Sequence, residues 1–156
     1  MKVKSERPVA TGRGNLTKAA RVLARLSRVV ETACQEAGLS LPQYRLLLFI
    51  SREPQRASEL ANRAAVSRPA ITDTVDGLER GGFLRRVPVE GDRRAIGLQL
   101  TSEGAKTLQR AERSLTTRLG KYLDDEKTVA AIASVSQALD RELERKLEKK
   151  LGGQKS

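Results

Sequence analysis

Between Ser67 and Asp76 the chain builds a polar surface suited to contact with a nucleic acid. Helical spacing puts Arg68, Pro69, Thr72, Asp73 and Asp76 on the face opposite the apolar Ile71, Val75 and Leu78. Ser67 stands at the N-cap position, and Arg68 follows it at the helix N-terminus. There, unpaired backbone N–H groups and the helix dipole favour a phosphate. Thr72 offers a hydroxyl to a base edge and a methyl to thymine. Asp73 either accepts from cytosine N4 or pairs with an arginine such as Arg68. Asp76 either meets the same ligand or, as the structural alternative, holds an arginine in place. Farther on, Glu90-Gly91-Asp92-Arg93-Arg94 forms a polar hairpin tip. Asp92 and Arg94, two residues apart, can pair across that tip and orient it. Arg93 and Arg94 are then both candidates to enter a minor groove.

Other chemistries lack their parts. Histidine is absent and there is one cysteine, so neither a structural zinc site nor an intramolecular disulfide can form. A histidine general base is excluded as well. There is no glycine-rich phosphate loop. Asp124-Asp125-Glu126 is the acidic cluster, and a helix start explains it. No enzymatic activity, metal or cofactor is expected.

The elements that must position the polar face are two short helical patterns and a hairpin. Leu60, Ala61 and Ala64 share one face of the first. After Val66-Ser67 comes the second, with Pro69 in its first turn, where a missing N–H costs least. Gly81-Gly82 ends it, since glycine reaches the left-handed conformation cheaply. The period then changes to two. Phe83–Val89 reads as one strand and Ala95–Leu100 as another, with Ile96, Leu98 and Leu100 alternating. Helix, tight turn, helix and hairpin make a winged helix-turn-helix over residues 41–101, whose second helix would enter the DNA major groove.

Long helices flank this module. Residues 1–14 are polar, with Pro8, Gly12 and Gly14, and read as a flexible basic arm, with or without a phosphate contact. From about Asn15 to Ala37 runs a helix with Leu16, Ala20, Leu23, Leu26, Val30, Ala33 and Ala37 on its apolar face. Lys18, Arg21, Arg25 and Arg28 make a basic stripe on another, read as solvated surface in preference to an anion site. Leu41–Arg52 is the next helix, with Leu46, Leu47, Phe49 and Ile50 as its core face, and Glu53-Pro54-Gln55 is a turn. Past Thr101 a helix reaches about Tyr122, capped by Thr101 or Ser102, with Ala105, Leu108, Ala111, Leu115 and Leu119 inward. A last helix carries Val129, Ile132, Val135, Leu139, Leu143, Leu147 and Leu151. Leucines four apart with charged flanks call for a partner, either the chain's own first helix or a second copy. The fold class is thus mainly α with a small β-hairpin wing, in one domain over residues 15–156.

Charge agrees with a polyanionic partner. The net charge is +11, distributed as +6 over residues 1–55, +2 over 56–100 and +3 over 101–156. The excess is therefore not on the proposed reading module. All eight cations of residues 56–100 are nonetheless arginine, whose planar fork suits guanine and phosphate. A codon bias toward arginine is the competing explanation. No apolar run approaches membrane-spanning length, and MKVKSERPVATGRGN lacks the apolar core of a signal peptide, so a cytoplasmic location is expected.

The chain resembles the MarR family of transcriptional regulators. Four stretches carry the resemblance: Leu41-Pro42-Gln43-Tyr44, Glu59-Leu60-Ala61, Ser67 through Glu79 with Thr72 and Asp76, and Asp92-Arg93-Arg94 followed by Leu100-Thr101-Ser102-Glu103-Gly104. The last, Asp-x-Arg then Leu-Thr-x-x-Gly, is the family's wing signature. The resemblance extends over roughly residues 15 to 150. It implies a homodimer intertwined through helices 15–37 and 105–151. It also implies repression at a pseudo-palindromic operator, relieved by a small phenolic or anionic effector. In the family the helix carrying Tyr44 and Arg45 borders the effector pocket, so these two are the ligand-binding candidates, with core-edge packing the alternative for Tyr44. With two Tyr, two Phe and no Trp, a pocket lined by aliphatics and arginine is expected. A constitutive or architectural DNA-binding protein without ligand sensing is the alternative function. Two departures stand out. Family members often carry a basic residue where this chain has Asp73. Peroxide-sensing members place a cysteine near the start of the first helix, whereas Cys34 precedes Pro42 by only eight residues, so Cys34 reads as a packing residue.

Overall fold

The computed structural model describes residues 13–52, 55–56, 60, 68–89, 92–123 and 125–152. Among them the order is α1 (Arg13–Glu36), α2 (Leu41–Arg52), β1 (Gln55–Arg56), α3 (Arg68–Arg80), β2 (Leu84–Val89), β3 (Asp92–Leu100), α4 (Ser102–Gly120) and α5 (Glu126–Gly152). The expected basic arm lies, up to residue 12, outside the described residues. Arg13 and Gly14 belong to α1.

Local chemistry accounts for the helix ends. Ser40 and Gln43 cap α2 reciprocally. The Ser40 hydroxyl accepts from the Gln43 amide at 3.3 Å, and the Gln43 side-chain oxygen accepts from the Ser40 amide at 2.8 Å. Pro42 sits between them, where no N–H is required. At the end of α3, Gly82 takes φ +74° and lets the Phe83 amide donate to the Leu78 carbonyl at 2.9 Å. Thr101 caps α4, its Oγ1 accepting from the Gly104 amide at 3.0 Å. Asp125 caps α5, its Oδ1 accepting from the Thr128 amide at 2.8 Å. Hydrogen bonding from the Thr128 side chain, and then from its amide, holds the Asp125 carboxyl below its ordinary range.

The expected hairpin is present as β2 and β3, and a third strand joins it. The strand order is β1-β3-β2, with β3 antiparallel to both neighbours. Gln55, expected as the last residue of a turn, and Arg56 after it pair with Leu98 and Gly97. Two residues carry no period, and their partners lie far along the chain, so no local pattern marks this strand. β3 also begins at Asp92, not at Ala95. Pairing runs from Leu84↔Leu100 to Pro88↔Ile96, then shifts to Val89↔Asp92. Asp92, Arg93 and Arg94 therefore belong to a strand and not to the hairpin tip. A main-chain ladder is indifferent to the polarity of the side chains it carries.

The core gathers where α2, α3, the sheet and the adjoining ends of α1 and α4 meet. Leu46, Leu47, Leu60, Leu78, Leu84, Leu98 and Cys34 are almost fully buried. Each such leucine contributes roughly 1.5–3 kcal/mol through removal from water. Ile71 and Val75 complete the inward row of α3. Within α4, Leu108 and Ala111 are buried as expected, but Thr107 is buried and Ala105 is exposed.

Away from this core the apolar rows are uncovered. Only the last turns of α1, from Val30 through Ala33 and Cys34, reach the core, while Leu16 and Leu23 are exposed. Val129, Ile132, Val135, Leu139 and Leu143 of α5 are all exposed, between 43% and 60%. None of the other described elements packs along α5. α1 instead packs on α4, so its own first helix does not cover the leucine row. The α1–α4 contact ends in a polar lock. Ser114 Oγ donates to Glu36 at 2.5 Å, and the Arg118 guanidinium donates to both Glu36 oxygens. Arg118 first, then Ser114, holds the Glu36 carboxyl below its ordinary range.

Candidate nucleic-acid interface

α3 turns Ile71, Val75 and Leu78 inward and its polar side outward. Pro69, Thr72 and Asp73 are exposed, and Asp76 is half-buried. Arg68 is the first residue of the helix; its side chain, like all of Ser67, lies outside the described residues. Asp73 makes no ion pair with a described side chain. It joins Asp76, Glu79 and Arg80 around a shallow cleft of about 440 Å³ on the exposed flank of α3.

Asp76 is engaged within the chain. Arg86 of β2 donates from Nη2 to Asp76 Oδ1 at 2.6 Å and from Nη1 to Glu79 Oε2. One guanidinium thus spans two carboxylates a helical step apart, an arrangement suited to its fork of donors. The bond to Asp76, above all, raises the Arg86 pKa beyond its already high value. Next to it, Arg85 donates from Nε and Nη2 to the Gln99 side-chain oxygen at 3.1 and 2.7 Å, across the β2–β3 pair.

The base of the hairpin is fixed from the other side. Thr101 Oγ1 donates to the Gly82 carbonyl at 2.7 Å while it caps α4, and the Thr101 amide donates to the Phe83 carbonyl at 3.1 Å. The end of α3, the start of β2, the end of β3 and the start of α4 meet at this one knot. Two anchors, Arg86 and Thr101, set the hairpin relative to α3. Asp92, Arg93 and Arg94 open β3; their side chains lie outside the described residues.

The two ligand candidates fall at the α1–α2–α4 junction. Tyr44 is buried, and desolvation raises its hydroxyl pKa, with Glu112 and Cys34 adding to the rise. Arg45 is exposed. Cys34 is 1% exposed, and burial raises its thiol pKa, against a smaller opposing effect of Arg45. A buried thiol held protonated is a poor nucleophile.

Sequence reasoning passed over Arg86 and Glu79 as site residues. Their one local signal is the Asp76-x-x-Glu79 spacing, which puts two acids on adjacent turns of one helix. Which arginine meets them depends on the register of β2 against α3.

The chain is similar to known proteins in sequence and in fold. Residues 37–95 match the family model described as MarR family. The chain is 29% identical over 119 residues to the HTH-type transcriptional regulator PecS of Dickeya dadantii (strain 3937), covering 69% of this chain and 70% of that protein. It is 33% identical over 93 residues to the HTH-type transcriptional repressor Mb2911 of Mycobacterium bovis (strain ATCC BAA-935 / AF2122/97), covering 59% of this chain and 67% of that protein. Among solved structures, CouR from Rhodococcus jostii RHA1 bound to p-coumaroyl-CoA superposes with a TM-score of 0.64 at 20% identity. That match covers 86% of this chain and 95% of CouR. The shared fold is mainly helical, with an antiparallel hairpin as its wing.

Proposed function

This chain belongs to the MarR family of transcriptional regulators, and on that premise we propose that it is a homodimeric repressor, released from a pseudo-palindromic operator by a small phenolic or anionic ligand. The observation that carries the DNA-reading part is the joint anchoring of α3 and the hairpin through Arg86 and Thr101. Pro69, Thr72 and Asp73 are exposed on α3, and Asp92, Arg93 and Arg94 open the second strand of the anchored hairpin. In this proposal α3 lies in the major groove with Ser67 and Arg68 at phosphate, and the wing reaches the adjacent minor groove. Asp92 and Arg94 orient the wing, and Arg93 or Arg94 enters the groove.

The uncovered apolar rows of α1 and α5 support a two-fold dimer, with half-site centres about 10 bp apart. Effector release is supported by CouR, a structural neighbour solved with p-coumaroyl-CoA; Tyr44 and Arg45 are the residues proposed to border such a pocket. The regulator acts in the cytoplasm, without catalysis or a cofactor.

Selection of bound duplex from a random pool, repeated with phenolic acids and their thioesters, tests the proposal. Enrichment of a two-fold symmetric site that a ligand then releases is the expected result. Enrichment that no ligand reverses would favour a constitutive DNA-binding protein. Thr72→Ala should change the preferred base at one position per half-site, by ~1 kcal/mol or more.

A further inference from the structure

Arg86 is a cation beside a surface assigned to a polyanion, and its obvious role would be a phosphate contact. Its two terminal nitrogens are engaged elsewhere. Nη2 is 2.6 Å from Asp76 and Nη1 is bonded to Glu79. Both carboxylates project from α3, while Arg86 stands on β2, where its register partner is Leu98. The guanidinium therefore bridges the helix and the hairpin. Stability does not account for this bridge, because the three side chains are 36% to 46% exposed, and exposed ion pairs contribute little. The bridge changes the interface in two ways. It fixes the angle between the two elements that must reach adjacent grooves together. It also offsets two of the three acids around the α3 cleft, which would otherwise repel phosphate.

We propose that Arg86 is a positioning residue for DNA recognition, acting through Asp76 and Glu79 to set the wing against α3, and not a phosphate contact. This rests on α3 and the wing being the DNA-reading elements.

Arg86→Lys separates the two roles, since lysine keeps the charge but loses the planar fork that takes two carboxylates at once. Binding is titrated at several salt concentrations, on the duplex selected by the wild type and on a scrambled duplex. The proposal expects Arg86→Lys to weaken binding to the selected duplex about tenfold or more and to leave the scrambled duplex nearly unchanged. The slope of log Kd against log salt should stay at the wild-type value, because no phosphate contact is lost. Thermal melting should remain within a few degrees of the wild type. The double variant Asp76→Asn, Glu79→Gln should also weaken specific binding, although it removes two negative charges, and adding Arg86→Lys to it should cost little more.

A phosphate contact predicts otherwise. Arg86→Lys would then bind almost as the wild type, Arg86→Gln would lower the salt slope by about one per contact, and the double variant would tighten binding. Those results, with a wild type that does bind the selected duplex, overturn this proposal alone. A wild type that binds no duplex overturns the DNA-reading proposal, and this one with it.

Discussion

Gly104, in the first turn of α4, lies so close to Phe83 that a Cβ placed on it would stand 1.8 Å from the Phe83 carbonyl oxygen. That oxygen already accepts from the Thr101 amide at 3.1 Å. The glycine of the Leu100-Thr101-Ser102-Glu103-Gly104 stretch is therefore required by contact between two backbones. Gly104→Ala should destabilise the fold by about 2 kcal/mol or more, because the obstructing atom is backbone and cannot rotate away. Helix propensity alone favours alanine by ~1 kcal/mol, so the sign discriminates. In a chain of this size the melting temperature should fall by roughly 4–8 °C; an unchanged or raised midpoint in calorimetry would refute the close contact.

The proposed role of Asp92 makes a prediction that runs against simple electrostatics. Asp92→Ala removes a negative charge from a surface that meets DNA, yet it should weaken binding through loss of the pair that orients the wing. Arg94→Ala should weaken binding to selected and scrambled DNA alike, and lower the salt slope by about one per lost contact in each subunit. Titration of both variants over a salt series provides the check. If Asp92→Ala tightens binding on both duplexes, the wing is a diffuse positive patch.

Leu139 and Leu143 are 54% and 60% exposed in the single chain. Replacing both with aspartate should therefore cost the isolated chain little, but would bury unpaired charge in a dimer. Sedimentation should show a 17.1 kDa species for the variant and a dimer for the wild type, both with full helical circular dichroism. A 17.1 kDa wild type at micromolar concentration would sink the dimer.

The Glu36 lock should give part of the acid sensitivity. Its pKa is depressed in the folded chain from an ordinary value of 4.5, by Arg118 and Ser114. A depressed carboxyl stabilises the fold above its unfolded pKa, and that contribution is lost as pH falls through the folded value. The melting temperature of Glu36→Gln should lie below that of the wild type at neutral pH, and the gap should narrow as pH falls through and below the ordinary value of 4.5. A gap that stays constant as pH falls would show that the charge of Glu36 contributes nothing to the lock.

What the sequence by itself determined is what depends on neighbours along the chain. Ile71, Val75 and Leu78 follow a helical period, Gly82 must end α3, and Asp125 sits where a cap is needed. Each is a local constraint, set by three- and four-residue spacing or by one residue's backbone freedom. The polar face of α3 and its family signature were legible for the same reason. Tertiary structure alone decided the pairings between segments. Gln55–Arg56 became a strand because Gly97 and Leu98 offered unpaired main-chain groups. Asp76 took Arg86, ten residues away, because the register of β2 brought that arginine over the carboxylate, a position that no period along the chain encodes. The leucine row of α5 was visible as an apolar stripe. That the chain's own α1 leaves it uncovered followed only from α1 packing on α4, since which helix faces which is settled by the summed burial of the whole core and not by the stripe itself.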